Sequence, residues 1–180
     1  MTLLPRLLSL SLIAVLALAA CANPERPSVQ SDEVELPTPM RSLEASVART
    51  IAAVDAALVG VGERLAMPLA AYRPSEPPSL LQLPRTIRRV DLADADDGFV
   101  VVYQAASTGA AIELAEDLAG YLESGFGQTN YAADTQFAVS TLGDAIVFTT
   151  WSQRRSDDPA RAEAAFDAIA GVGTAVEIRK

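Results

Sequence analysis

Few side chains in this sequence could perform chemistry, and the two most versatile kinds are nearly missing. The 180 residues include no histidine and a single cysteine, Cys21. Without histidine there is neither a Ser-His-Asp triad nor a histidine metal ligand, and one cysteine forms neither an intrachain disulfide nor a cysteine-rich zinc site. The sequence therefore predicts no metal, no cofactor and no catalytic residue, and leaves only carboxylates and tyrosines for enzyme chemistry.

Two groups of acidic residues are candidates for cation binding or proton transfer, and neither has the required pattern. Residues 94–98 have the sequence DADDG. If Gly98 is aligned with the invariant glycine of an EF-hand loop, alanines fall at the first and third ligand positions, so we expect an acidic β-turn. The second group lies on a helix predicted at residues 108–124, on the side opposite its apolar residues, where we expect solvent. Its members are Glu113, Glu116, Asp117 and Glu123.

The charge of the chain excludes another class of partner. The 23 acidic residues outnumber the 14 basic ones, which gives a formal net charge of -9. A charge of this sign repels nucleic acid, so no nucleic-acid partner is expected. The two basic pairs, Arg88-Arg89 and Arg154-Arg155, are expected to be isolated surface arginines.

The remaining candidate is a loop in which two glycines flank an aromatic residue. Residues 125–131 have the sequence GFGQTNY, and loops on rigid scaffolds often carry recognition. We predict a binding loop formed by Phe126, Gln128, Asn130 and Tyr131, with Trp151, at the end of a predicted strand, as a further aromatic contact. The alternative is that Phe126 and Tyr131 close the end of the core and that Trp151 belongs to the core.

The first residues have the pattern of an export signal. Arg6 precedes an apolar run at residues 7–20. A helix of that length rises roughly 21 Å, less than the ~30 Å hydrocarbon core of a bilayer. A positive start followed by a short apolar segment is typical of a signal peptide, which we predict for residues 1–20.

The end of this segment resembles the lipobox of bacterial lipoproteins. The residues are Leu18-Ala19-Ala20-Cys21, and the resemblance covers only the first 21 residues. It implies that Cys21 is lipidated and becomes the mature N-terminus; the alternative is an ordinary signal peptide with a chance cysteine. Since each buried CH₂ contributes ~0.8 kcal/mol and stable attachment needs more than one chain, two or three acyl chains on Cys21 would hold the protein at a membrane.

The resemblance also implies a location. The protein would be lipid-anchored on the exported side, either at the outer membrane or at the outer face of the cytoplasmic membrane. In some bacterial lipoproteins an aspartate directly after the lipidated cysteine goes with retention at the inner membrane. Residue 22 is an alanine, so the resemblance favours the outer membrane. Residues 21–40 are rich in proline and acidic residues and predict a disordered tether, with a reach of ~24 Å if it is a flexible coil.

Residues 41–180 predict a single α+β domain. A helix is predicted over residues 41–66 because apolar residues recur at spacings of three and four; they are Val47, Ile51, Val54, Leu58, Val61 and Leu65. This stripe favours packing on the protein's own domain over self-association. Residues 67–85 contain five prolines and predict an extended connection that packs onto the domain through its leucines.

The segment from residue 86 onward predicts the sheet. Strands are predicted at 86–92, 99–105, 136–142, 145–152 and 174–179, and helices at 108–124 and 159–170, with a tight type II′ turn at Gly143-Asp144. From residue 99 the order βαββαβ is that of a ferredoxin-like sandwich, with both helices on one face. Helix 41–66 would cover the other face. In that topology both places beside strand 99–105 are filled, so strand 86–92 would compete for one of them. Either it lies at an edge, or the strand order differs, or residues 86–92 are not a strand.

These patterns together favour a membrane-anchored, exported lipoprotein with a non-catalytic binding or accessory role and a protein partner in the cell envelope. One alternative is an envelope component that assembles through residues 43–65. Another is an enzyme that uses carboxylates or a tyrosine.

Overall fold

Residues 38–69, 72, 74–92 and 98–179 are described by the computed structural model, with side chains from residue 45. They belong to the unit Thr38–Lys180. The predicted signal peptide, Cys21 and nearly all of the tether lie outside the described residues, as does the acidic turn except for Gly98.

The described residues form helices on both faces of one antiparallel sheet. The helices are α1 (Thr38–Gly60), α2 (Thr108–Glu123) and α3 (Pro159–Ala170), with a 3₁₀ turn at Gln153–Arg155. The strands are β1 (Leu65–Ala66), β2 (Arg85–Val90), β3 (Phe99–Gln104), β4 (Gln136–Leu142), β5 (Ala145–Trp151) and β6 (Thr174–Val176). Their order in the sheet is β1-β2-β3-β5-β4-β6.

Strands β3 and β5 form the centre of the sheet, and every residue in both is buried. Alternate residues of β3 point to opposite faces, so Val100 and Val102 belong to one core and Val101 and Tyr103 to the other. The prediction of a strand covered on both faces is confirmed. Because both faces of β3 are covered by other elements, the strand has no polar face, as expected.

Helix α2 packs on the face that carries Val101 and Tyr103. It begins after Ser107, whose side chain accepts a hydrogen bond from the amide of Ala110 at 3.2 Å. Its inward residues are mostly small, which lets the helix approach the sheet closely; they are Ala111, Ala115, Leu118, Ala119 and Leu122. The carboxylates of α2 face solvent, as predicted.

Helices α1 and α3 pack together on the opposite face. Val54 and Leu58 of α1 share a core with Phe166 and Ile169 of α3. The predicted limits of α3 are confirmed: Asp158 caps its first turn, Pro159 is the first helical residue and Gly171 is the C-cap.

A charged contact links Glu63, just after the end of α1, to Arg161 in the first turn of α3. Arg161 donates two hydrogen bonds to the Glu63 carboxylate, from Nε to Oε1 at 2.7 Å and from Nη2 to Oε2 at 2.8 Å. Hydrogen bonding to Glu63 raises the pKa of Arg161 above its ordinary value. This paired geometry fixes the angle of the two helices more firmly than a single contact would.

The predicted ferredoxin-like order is not present. In that order the last strand lies beside the first strand of the βαββαβ core, which is β3. Here β2 pairs with β3, and β6 pairs with β4 at the opposite edge. Parallel crossovers are right-handed, so a last strand at the other edge moves the preceding helix, α3, to the other face of the sheet. Helices α2 and α3 therefore lie on opposite faces, and the domain has three layers.

Helix α1 ends at Gly60 rather than at residue 66. Gly62 has a φ of 84°, and Leu65 then starts β1 with its amide donating to Asp55 Oδ1 at 3.0 Å. Val61, expected on the inner stripe, is exposed. The helical spacing of Val61 and Leu65 was misleading because two glycines, each costing ~1 kcal/mol in a helix, stop the helix first.

Three smaller expectations are also corrected. Strand β6 ends at Val176 rather than at residue 179, and helix α2 ends at Glu123 rather than at residue 124. Arg89 is not a surface arginine: it is 7% exposed, donates to the carbonyls of Met67, Val90 and Leu92, and pairs with Asp91.

The turn between β4 and β5 has the positive φ expected at Gly143, 62°.

Candidate functional site

The predicted binding loop follows α2 directly, and we refer to residues 124–135 as the α2–β4 loop. Ser124 ends the helix: its hydroxyl donates to the carbonyl of Tyr121 at 2.6 Å and accepts from the amide of Gly127 at 3.1 Å. The side-chain amide of Gln128 donates to the carbonyl of Leu122 at 2.7 Å. The loop therefore satisfies carbonyls that the end of a helix leaves without partners.

Gly127 lies so close to α2 that no other residue fits in this conformation. A Cβ at this position would be 2.1 Å from the carbonyl oxygen of Tyr121, which is backbone and cannot move aside alone. The two glycines of the GFGQTNY segment thus differ in role, since a Cβ at Gly125 would meet nothing within 4 Å.

Hydrogen bonds within the loop hold Phe126 in an exposed position. The amide and hydroxyl of Thr129 donate to the carbonyls of Phe126 and Gly125, at 3.2 and 3.1 Å. The ring of Phe126 is 77% exposed and contacts Tyr121 edge-on, with centroids 6.1 Å apart. An aromatic ring fixed in solvent by its own loop loses little freedom when it binds a partner.

A cleft of about 300 Å³ opens beside this loop. The rings of Tyr131 and Phe137 form part of its wall and meet edge to face, with centroids 4.9 Å apart. The remaining lining residues are small or uncharged; they are Gly125, Gln128, Thr129, Ala132, Ala133 and Thr135. The volume is at the lower limit for small-molecule sites.

The far end of the loop is fixed by Asp134. Its Oδ2 accepts from the hydroxyl of Ser152 at 3.0 Å and from the amide of Arg154 at 2.9 Å. These contacts, led by the Arg154 amide, hold the pKa of Asp134 below its ordinary value. The loop is therefore attached to the end of α2 on one side and to the end of β5 on the other.

The structure brings together four of the five residues predicted to bind. Gln128 and Tyr131 line the cleft, and Phe126 and Asn130 are exposed in the same loop. Trp151 does not lie with them. It pairs across the strands with Gln136, belongs to the core on the opposite face, and is 3% exposed beside Phe166.

The sequence did not reveal that all four tyrosines of the chain gather around one short segment. The hydroxyl of Tyr131 accepts from the amide of Ser75 at 3.1 Å, and the hydroxyl of Tyr121 lies 3.3 Å from that of Ser75. Tyr103 donates to Glu76 Oε2 at 2.6 Å. Tyr72 stacks on Phe99, with centroids 3.9 Å apart.

Glu76 is the charged centre of this group, which we call the tyrosine cluster. Its side chain is 3% exposed, and its other oxygen pairs with Arg85. Burial, followed by the hydrogen bond to Glu76, raises the pKa of Tyr103, and burial also raises that of Tyr131. Leu80 is fully buried beneath the same segment, which confirms that the proline-rich connection packs onto the domain, although Leu81 is exposed.

The part of the chain that the structure describes holds no group of three or more His, Cys, Asp or Glu side chains placed to bind a metal ion. None of its helices is long and apolar enough to cross a membrane. No family model, curated protein or solved structure matches the chain.

The position of Gly127 can be tested against a second glycine. Gly127→Ala is expected to destabilise the domain by about 1–3 kcal/mol, since overpacking against backbone forces a shift. Gly120→Ala is the control: Gly120 is an exposed position inside α2 where a Cβ would meet nothing within 4 Å, so this change should be neutral or stabilising by up to ~1 kcal/mol. Urea unfolding measures both, and equal midpoints for the two variants would contradict the close approach.

The tyrosine cluster predicts a loss of stability in alkali. The folded state keeps Tyr103 protonated at a pH where an unfolded tyrosine ionises, so it binds more protons, and the free energy of unfolding should fall as pH rises above about 10. The Tyr103→Phe variant lacks this ionisable hydroxyl. We therefore expect its free energy of unfolding to fall less steeply in alkali than that of the wild type. At neutral pH the same variant should lose about 1–3 kcal/mol, because Glu76 loses a buried donor.

Urea unfolding at a series of pH values between neutrality and strong alkali provides the measurement. Parallel curves for the wild type and Tyr103→Phe would show that Tyr103 ionises equally in the folded and unfolded states.

Proposed function

We propose that this protein is a membrane-tethered, non-catalytic binding module of the cell envelope, attached through lipid on Cys21 and binding its ligand at the α2–β4 loop. The observation that supports binding most directly is the loop itself. It holds the exposed Phe126 next to a cleft. The amide of Gly127 donates to the Ser124 hydroxyl at the C-cap of α2, and the Gln128 side chain donates to the carbonyl of Leu122, so the loop is tied to the end of α2. A loop that is already ordered loses less conformational entropy when a ligand binds.

The tyrosine cluster argues for structure rather than catalysis. A carboxylate and a tyrosine are the pair that a histidine-free enzyme would use. Here Glu76 and Tyr103 bond to each other, Glu76 also pairs with Arg85, and Tyr103 has no exposed surface. Neither group is open to a substrate, whereas the cleft beside the loop is open.

The alternative of assembly through residues 43–65 needs an exposed apolar stripe on α1, and most of that stripe packs inside the domain. Val54 and Leu58 are fully buried in the domain's own core, and Val47 and Ile51 pack against the same core. Among the large apolar residues at the end of this segment, only Val59 and Val61 are exposed. A helix that buries its stripe internally offers little to a second copy.

The anchor is tested at Cys21. The Cys21→Ser variant is expected to lose the acyl chains, so intact mass should show lipid on the wild type and none on the variant. The variant should also shift from the detergent phase to the aqueous phase after signal-peptide removal. Ala22→Ser, one residue further on, is the control and should behave as wild type. If the wild type and Cys21→Ser partition equally into the detergent phase, and the wild type carries no lipid on Cys21, the proposed lipid anchor is wrong.

The binding surface is tested by photocrosslinking in native membranes. A photoreactive side chain at Asn130, which is exposed in the loop, should give a discrete adduct. The same side chain at Ala164, which is exposed on α3, should give none. Adding Phe126→Ala should weaken the Asn130 adduct, because a central aromatic anchor is removed. Identical adducts at both sites, or none at Asn130, would contradict a binding role for the loop.

A further inference from the structure

None of the described residues that line the cleft beside the α2–β4 loop carries a charged side chain, although the chain has a net charge of -9. The one carboxylate of the loop, Asp134, is bonded to Ser152 and Arg154 and is not among the lining residues. The described lining residues therefore offer no counter-charge to an ionic ligand, and the acidic protein repels anions.

The lining offers two kinds of contact side by side. The rings of Tyr131 and Phe137 provide an apolar surface, extended by the methyl groups of Ala132 and Ala133. On the polar side, the Thr129 hydroxyl gives its proton to Gly125, and one amide N–H of Gln128 goes to Leu122. The lone pairs of Thr129 Oγ1 and Gln128 Oε1 are then acceptors for donors that a ligand supplies.

We propose that this cleft binds a neutral sugar unit, whose C–H face lies on the Tyr131 and Phe137 side and whose hydroxyls donate to Thr129 and Gln128. A pyranose ring combines an apolar face with a rim of hydroxyl donors and carries no charge, which matches all three properties of the lining. This inference rests on the proposed binding function of the loop and specifies the chemical class of its ligand.

The geometry favours a sugar over an apolar peptide side chain. A purely apolar group would leave the acceptors on Thr129 and Gln128 without partners in a partly desolvated site, which costs free energy.

The test is saturation-transfer NMR on the full chain, purified in a detergent without a sugar headgroup. The probes are N,N′-diacetylchitobiose, cellobiose and maltose, with digalacturonate as the charged comparison. We expect saturation on the C–H protons of at least one neutral disaccharide and none on digalacturonate.

Two variants locate the binding. Ala133→Gln fills the cleft from an exposed position and should weaken binding about tenfold or more. Ala164→Gln, the same change on the exposed face of α3, should leave binding unchanged.

The outcomes separate this inference from the proposed function. No transfer to any of the three neutral disaccharides, or equal binding of digalacturonate, overturns the sugar. Equal effects of Ala133→Gln and Ala164→Gln overturn the cleft as its site. If the sugars fail while a protein is crosslinked from Asn130 and not from Ala164, the binding function stands and the ligand is a peptide surface.

Discussion

The pairing of β2 with β3 is the constraint on which the rest of the domain depends. It fills the place beside the first strand of the βαββαβ core, so β6 pairs with β4 at the other edge of the sheet. Because crossovers are right-handed, α3 must then cover the opposite face from α2. There it packs with α1, and Arg161 and Glu63 join the two helices.

The same constraint leaves α2 as the sole helix on its face among the described residues. The proline-rich segment completes the cover: Leu80 enters the core and Glu76 accepts from Tyr103 beneath it. Tyr131 belongs both to this cluster and to the wall of the cleft. The α2–β4 loop is thus supported from below by the tyrosines and from the side by the last turn of α2, which is how a small domain can present a rigid exposed ring.

Features encoded by neighbouring residues could be predicted from the sequence, and those that depend on distant contacts could not. The caps at Ser107 and Asp158 and the positive φ at Gly143 follow from local chemistry. The face on which α3 packs follows from the strand order, which no local pattern encodes. The glycine spacing predicts a loop that contains Phe126 and Tyr131, and the structure places both in one loop. For Trp151 the sequence leaves core and surface both open, because an aromatic residue at a strand end looks the same in either case, and the structure places it in the core.

The strand order can be measured directly by cross-linking β4 to β6. Antiparallel partners have Cα atoms roughly 4.5–5.5 Å apart, within the range that a disulfide spans. Thr141 and Thr174 are such partners. In a Cys21→Ser background, Thr141→Cys with Thr174→Cys is predicted to close a disulfide on oxidation, as Thr86→Cys with Val102→Cys should between β2 and β3. If the second pair closes and the first stays reduced in the folded protein, β6 is not at this edge and the three-layer account is wrong.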